Sequence, residues 1–144
     1  MSSTHRYWIL VFLFLLAGCG QKAMITDQSL PVLKEDKAEY GAIRKSDIAK
    51  LADATLAYRK DHDNALPTNI PYEALLEICK TKDDCEGLLQ LNFLIPKYLA
   101  KVPVDPVVPD QYKGTGYGLI RNKDDAVSVI SFVELKKYYE QPHK

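Results

Sequence analysis

Cys19 is the residue whose surroundings most directly indicate chemistry. Its thiol is a strong nucleophile once ionised, and the small residues Ala17 and Gly18 just before it let an extended backbone enter a peptidase. Residues 7–17 are almost wholly apolar, and residues 1–6 carry one Arg and no acid. This is the anatomy of a secretory signal peptide, and the apolar run is shorter than the about 20 residues that span a bilayer. The sequence therefore predicts export and a cysteine that can be alkylated.

The four residues Leu16-Ala17-Gly18-Cys19 resemble the lipobox of bacterial lipoproteins. The resemblance implies cleavage between Gly18 and Cys19, a diacylglyceryl group on the Cys19 thiol and acylation of the new amine. It also implies a place in the cell envelope. Since Gly20 is not the aspartate that retains many enterobacterial lipoproteins at the inner membrane, we expect the outer membrane, with the protein facing the periplasm or the cell surface. The alternatives are an ordinary signal peptide with a coincidental Cys19 and a membrane-spanning segment.

Length and charge describe what remains after cleavage. Removal of residues 1–18 leaves 126 residues, which suits one domain, with 18 basic and 19 acidic side chains spread along the chain. A formal charge of −1 without a basic run gives no basis for nucleic-acid binding. Residues 19–33 are predicted to be the lipidated cysteine and a tether, and residues 34–144 to be the domain.

The two remaining cysteines, Cys79 and Cys85, are separated by five polar residues. In an oxidising compartment such a pair predicts a local disulfide that clamps the ends of a surface loop. Free buried thiols are one alternative. A metal or redox site is the other, although the second Cys/His pair of a structural zinc site is missing.

Catalytic residues are few. The histidines outside the signal peptide are His62, in an acidic loop, and His143, near the end, and neither has an evident nucleophile as partner. Asp61-His62-Asp63 offers metal-ligand atoms, but consecutive loop residues usually point apart. Asp105, which lies two residues after one proline and just before another, could be an acid catalyst, yet it has no matching second carboxylate. We expect a protein that is not an enzyme.

The elements that must position these residues begin with a helix. Residues 34–60 are helical in composition, with a predicted buried stripe of Ile48, Leu51, Ala52, Thr55 and Leu56. Charged residues beside that stripe are predicted to form a solvated face: Lys45, Asp47, Lys50 and Asp53.

The rest of the chain is shorter elements. Residues 61–71 predict a loop, and residues 71–80 a second helix with Leu75, Leu76 and Cys79 inward. Residues 86–99 predict packed turns or a short helix, and the prolines require residues 102–109 to be extended. Residues 117–121 and 126–132 predict an antiparallel hairpin about a polar turn, followed by a charged tail with a last helical turn or two.

This order of elements is similar to the globular part of type IV pilins and type II secretion pseudopilins. Residues 46–58 followed by Asp61-His62-Asp63-Asn64-Ala65-Leu66-Pro67 resemble that family's helix, which ends in an aromatic and a D-x-G-x-x-P loop. Residues 98–106 match its Y-L-x-x-x-P-x-D-P segment, and Gly116-Tyr117-Gly118-Leu119 matches the strand entry. Together they cover residues 45–132. The resemblance implies an α+β fold in which an N-terminal amphipathic helix packs on a small antiparallel C-terminal sheet, and it implies a structural turn at Asp105.

Two differences from the family affect the expected function. Pilins have a prepilin cleavage site, a glutamate after it and a long apolar filament helix, whereas Cys19 and the tether occupy that place here. Asn64 stands where the loop usually has glycine, which is tolerable because asparagine also adopts left-handed conformations.

Major pseudopilins also bind calcium near their C-terminal strands, which makes Asp124 and Asp125 weak candidate ligands. Turn formation is the alternative, because calcium takes six to eight oxygens.

We therefore expect a membrane-anchored lipoprotein with a pilin-like domain. Its partners are membrane lipid, through Cys19, and proteins of a type II secretion or type IV pilus apparatus, in a structural or assembly role. No cofactor beyond the covalent lipid is expected. The alternative is a free-standing envelope lipoprotein that binds a small ligand or a cell-wall component.

Overall fold

A computed structural model describes residues 33–81 and 85–140. The predicted signal peptide 1–18, the cleavage point at Gly18 and Cys19, the tether up to residue 32, and His143 lie outside these residues. The described chain has an α+β fold: one long helix, a three-stranded antiparallel sheet and a short second helix.

The elements follow one another with long connections. Helix α1 is Tyr40–Lys60 and strand β1 is Leu76–Cys79. A short 3₁₀ turn, Asn92–Leu94, precedes the proline-bearing crossing. Strands β2, Gly114–Arg121, and β3, Val127–Ser131, form the hairpin, and helix α2, Phe132–Glu140, follows it directly. The sheet order is β1-β2-β3, with both pairings antiparallel.

Helix α1 begins later than predicted and buries a different face. Its buried positions are Arg44, Asp47, Leu51, Ala54 and Thr55. The predicted stripe was therefore wrong at Leu56, which is 50% exposed, and the prediction that Asp47 belongs to a solvated face was wrong, since it is 6% exposed. The buried face is turned toward Arg44 and Asp47 because both have polar partners inside the domain.

The loop after α1 uses left-handed backbone conformations. Arg59 and Lys60 occupy the last helical turn, where positive charge complements the helix dipole. Asp63 and Asn64 follow with φ of 50° and 63°, and the Asn64 backbone N–H donates to the carbonyl of Arg59 at 2.8 Å. Asn64 thus adopts the conformation for which glycine is otherwise favoured.

The predicted helix over residues 71–80 was wrong: its second half is strand β1. Leu76 pairs with Leu119 of β2, and on the other side of β1 the Cys79 N–H donates to the Leu89 carbonyl at 2.9 Å. Strand pairing on β2 and the bridge to Leu89 override the local helical pattern.

One hydrophobic core lies between α1 and the sheet. It contains Leu51, Ala54, Leu66, Ile70, Ile78, Leu89, Leu91, Leu94, Tyr117 and Leu119. Within β2, Tyr117 and Leu119 alternate with glycines that face the opposite side.

The glycines of β2 allow other segments to approach the strand closely. A Cβ on Gly116, whose φ is +79°, would lie 2.7 Å from a Val108 methyl and 2.9 Å from the Asp105 Cβ. A Cβ on Gly118 would lie 2.7 Å from Leu75 and 2.9 Å from the Phe132 ring. Positions 116 and 118 require glycine because the proline-bearing crossing and α2 pack directly against the backbone of β2.

Candidate functional site

Arg44 and Asp105 form a buried ion pair that joins three parts of the domain. Their side chains are 1% and 0% exposed, and the Arg44 guanidinium donates to the two Asp105 oxygens at 2.6 and 3.1 Å. Its remaining N–H groups reach Asp36, at 2.7 Å, and Glu134 of α2, at 3.1 Å. Burial works against the charge of Arg44, but the hydrogen bonds to Asp105 and Asp36 outweigh it and raise the pKa of Arg44.

Asp105 is fully occupied by this arrangement. Besides the two bonds from Arg44, its carboxylate accepts the Val107 backbone N–H at 3.1 Å and the Ser131 hydroxyl at 3.4 Å. The side chain therefore closes a turn and neutralises a buried cation. These contacts agree with the structural turn that the sequence analysis expected at Asp105.

Asp47, on α1, is the other buried acid among the described residues besides Asp105. Its carboxylate accepts the Tyr117 hydroxyl at 3.2 Å and pairs with Lys50, one turn later, at 2.9 Å. Burial, followed by the charges of Asp47 and Asp105, raises the pKa of Tyr117, so this phenol stays protonated and donates to Asp47.

Asp47 also borders an open groove of about 860 Å³. One wall is the face of α1 formed by Asp47, Lys50, Asp53, Ala54 and Ala57, and the other is the segment 98–104. The alanines leave space because their side chains are short. Apolar side chains dominate the second wall, while charged groups stand on both: Asp53 on the helix and Lys101 on the segment.

Asp61, just after α1, joins the two walls of the groove. Its carboxylate pairs with Lys97 at 2.7 Å and accepts the Tyr98 hydroxyl at 2.9 Å. The hydrogen bond from Lys97, followed by that from Tyr98, lowers the pKa of Asp61. These contacts fix the start of segment 98–104 to the end of α1.

The candidate metal ligands Asp61, His62 and Asp63 do not converge. The Asp61 carboxylate is turned to Lys97 and Tyr98. The His62 ring stacks on Tyr58 with centroids 3.9 Å apart, and its Nδ1 lies 2.7 Å from the Tyr58 carbonyl oxygen. The histidine therefore extends an aromatic cluster.

The candidate calcium ligands lie in the β2–β3 turn. Asp125 pairs with Arg121 at 2.6 Å and accepts a hydrogen bond from the Tyr72 hydroxyl at 2.8 Å. The hydrogen bond from Tyr72, followed by that from Arg121, lowers the pKa of Asp125. Asp124 accepts the backbone N–H of Ala126 at 3.3 Å. Both carboxylates are engaged in forming the turn, and residues 33–81 and 85–140 contain no group of three or more His, Cys, Asp or Glu placed to hold a metal ion.

Cys79 and Cys85 are joined by a disulfide, with a Cα–Cα distance of 5.8 Å. Both residues are buried, at 1% and 9% exposure. The bond fixes the end of β1 to the segment that contributes Leu89 and Leu91 to the core.

Sequence reasoning missed the pairing of Arg44 with Asp105 and the polar role of Asp47. The available signal was spacing: Arg44, Asp47, Leu51, Ala54 and Tyr58 are three or four residues apart, as on one helical face. An acid in a proline-fixed segment, such as Asp105, also needs a cation if the segment is buried.

No helix in the described part of the chain has the length and apolar character needed to cross a membrane. Comparison with models of protein families, with curated proteins and with solved structures finds no match to this chain.

Proposed function

We propose that this protein is a lipid-anchored envelope protein whose pilin-like domain has a structural or assembly role in a type II secretion or type IV pilus-type apparatus. The observation that carries the proposal is the combination, in one short chain, of Leu16-Ala17-Gly18-Cys19 with a long helix packed on an antiparallel hairpin. The anchor gives the location, and the domain gives a body that acts by contact.

The contacts of the described residues support the comparison with pilins. The Y-L-x-x-x-P-x-D-P-like segment is fixed to α1 at both ends, by Tyr98 to Asp61 and by Asp105 to Arg44. The loop after α1 places Asn64 in the left-handed conformation that a glycine has in the family pattern. The motifs thus work together in one arrangement in which helix, crossing and hairpin depend on each other.

The anchor differs from that of a filament subunit. Acyl chains contribute about 0.8 kcal/mol per buried CH₂, so two or three chains hold the protein at a bilayer stably. The residues between Cys19 and Leu33 could reach about 45 Å when fully extended. The domain would then stand clear of the headgroups, with its surface free for other envelope components.

Affinity isolation from native envelopes tests this function. We would solubilise membranes in mild detergent, isolate the full-length protein through a C-terminal tag and identify co-isolated proteins by quantitative mass spectrometry. The Cys19→Ser form is the matched control, because its domain is unchanged while its anchor is removed. We expect secretion or pilus subunits to be enriched with the wild-type chain over the control; a well-populated set of partners without such subunits would refute the role.

A further inference from the structure

We propose that the groove between α1 and segment 98–104 binds an extended peptide segment of another envelope protein by main-chain pairing along residues 102–104. This deepens the proposed function, on which it rests, by naming the surface that makes the contact and the form of its partner.

The main chain of this wall has free hydrogen-bonding groups. At its two ends, the Leu99 N–H donates to the Leu94 carbonyl at 3.1 Å and the Asp105 N–H donates to the Thr115 carbonyl at 2.9 Å. Between them, the N–H groups of Val102 and Val104 make no hydrogen bond to another residue of the described chain. These two residues are two positions apart, so in an extended segment their N–H groups lie on one edge, opposite the edge on which Asp105 pairs with Thr115. Unpaired donors along an extended segment are what an added peptide strand needs.

The groove beside this segment suits side chains of such a strand. Ala54 and Ala57 keep it open on the helix side, and Val104 remains 37% exposed at its edge. Ile43, one turn before Asp47 on the same face of α1, is 41% exposed. An apolar side chain of the peptide would cover Val104 and remove it from water.

The charged residues that border the groove indicate which residues flank the apolar side chain of the bound peptide. Asp47 is already paired with Lys50 and with Tyr117, so it is not available to a ligand. Asp53 on the helix and Lys101 on the opposite wall border the groove without a salt bridge to another described residue. A basic residue beside Asp53 and an acidic one beside Lys101 would complement them.

The residues just before α1 contact the crossing and do not line the groove. The Lys34 N–H donates to the Val107 carbonyl at 2.8 Å, and the Lys34 ammonium pairs with Asp110 at 3.0 Å, whereas Asp36 contacts Arg44 beside Asp105. Followed backwards from residue 36 to 34, the chain therefore runs from Asp105 toward Asp110. Residues 34–36 therefore lie along the crossing and leave the groove uncovered, and a crosslink within the chain is one of the outcomes that the test below distinguishes.

Site-specific photocrosslinking in cells tests the proposal with the full-length lipidated protein. A photoreactive amino acid replaces Ala57 in the groove, and the matched control carries it at Lys123, which is exposed in the hairpin turn. We expect position 57 to crosslink to one segment of another envelope protein, identified by mass spectrometry, with a yield at least tenfold above position 123. Equal yields, no crosslink, a crosslink within the chain or one between two copies would each overturn the proposal.

Main-chain pairing is tested by Val104→Pro, which removes one free N–H without breaking an internal bond, against Val104→Ala, which keeps it. Val104→Pro should lower the crosslink yield at least fivefold and Val104→Ala less than twofold, with both variants folded by circular dichroism. Equal yields from the two folded variants would refute strand addition. If Val104→Pro does not fold, a peptide of the crosslinked sequence with N-methylated backbone amides replaces it and should compete at least fivefold less well than the unmodified peptide.

The same peptide tests the charges. Lys101→Glu and Asp53→Lys should each weaken its binding about two- to fivefold at low salt, the size expected for exposed ion pairs. Unchanged binding by both variants would contradict the charge assignment. If affinity isolation still recovers secretion or pilus subunits while position 57 does not crosslink, the inference about the groove fails and the proposed function stands.

Discussion

Replacement of Arg44 by methionine should strongly destabilise the domain. The substitution keeps an unbranched side chain but removes the cation that faces Asp105, whose side chain is 0% exposed. Breaking a buried pair by deleting one partner costs about 3–5 kcal/mol, because the other charge stays in the interior uncompensated. Domains of this size have about 5–15 kcal/mol in total, so the loss is a large fraction of the stability.

The structure also predicts how the loss can be recovered. In Arg44→Met/Asp105→Leu no unpaired charge is left in the interior, so the double variant should be more stable than Arg44→Met alone by about 1–3 kcal/mol. Full recovery is not expected, since the Val107 N–H and the Ser131 hydroxyl also lose their acceptor. The matched control is Lys34→Met, which breaks an exposed pair with Asp110 and should change stability by less than about 0.5 kcal/mol.

Urea unfolding of a form that starts at Gly20 measures these differences. Circular dichroism at 222 nm is the appropriate signal, because the single tryptophan, Trp8, lies in the predicted signal peptide. Arg44→Met should also melt about 12–20 °C lower, at about 4 °C per kcal/mol. A loss below about 1 kcal/mol, or a double variant as unstable as the sum of the two single changes, would refute the description of this pair.

Three further predictions concern the disulfide, the glycines and the acid limb of stability. Cys79→Ser should destabilise the same form by about 2 kcal/mol in urea, because the disulfide closes a short loop that limits the unfolded chain. Dithiothreitol should have the same effect on the wild type but none on the variant. Equal stability of the variant and the oxidised wild type would contradict this. Gly116→Ala should lower the free energy of unfolding by at least about 2 kcal/mol, because it adds a Cβ at positive φ against Val108. The control Gly41→Ala, whose Cβ would have nothing within 4 Å, should be neutral or stabilising. Similar effects of the two substitutions would refute the packing argument. The hydrogen bond from Arg44, followed by that from Lys137, lowers the pKa of Asp36 below its ordinary value of 3.8. The contribution of Asp36 to stability is therefore complete above pH 3.8 and is lost as the pH falls through the lower folded-state pKa. Below pH 4 the urea midpoint of Asp36→Asn should fall less steeply than that of the wild type, and parallel curves would exclude this role.

Much of the fold could be predicted from local signals. The prolines predicted an extended crossing, which holds for residues 102–105 but is wrong for 106–108, where a turn follows Asp105. The polar run 122–125 predicted the hairpin turn, and the spacing of apolar residues identified α1 as a helix. These signals act within a few residues, so they are readable in the sequence. Strand β1 was missed because its residues take their conformation from pairing with β2 and Leu89, which are distant in sequence.

The buried polar contacts could not be predicted for a related reason. Arg44 and Asp105 are 61 residues apart, and Asp47 and Tyr117 are 70 apart. Charge alone predicted a solvated face for Asp47, because a charged side chain is buried only when a partner meets it. Helical spacing restricts which residues share a face, but the identity of the partner on another segment depends on the whole fold.

Intact-mass analysis of the protein isolated from membranes of fatty-acid-labelled cells tests the lipid anchor most directly. We expect a chain that begins at Cys19 and carries two or three acyl groups, and a Cys19→Ser form that takes up no label and leaves the membrane fraction. An unlabelled mature chain, or a Cys19→Ser form that stays membrane-bound in the same way, would contradict it.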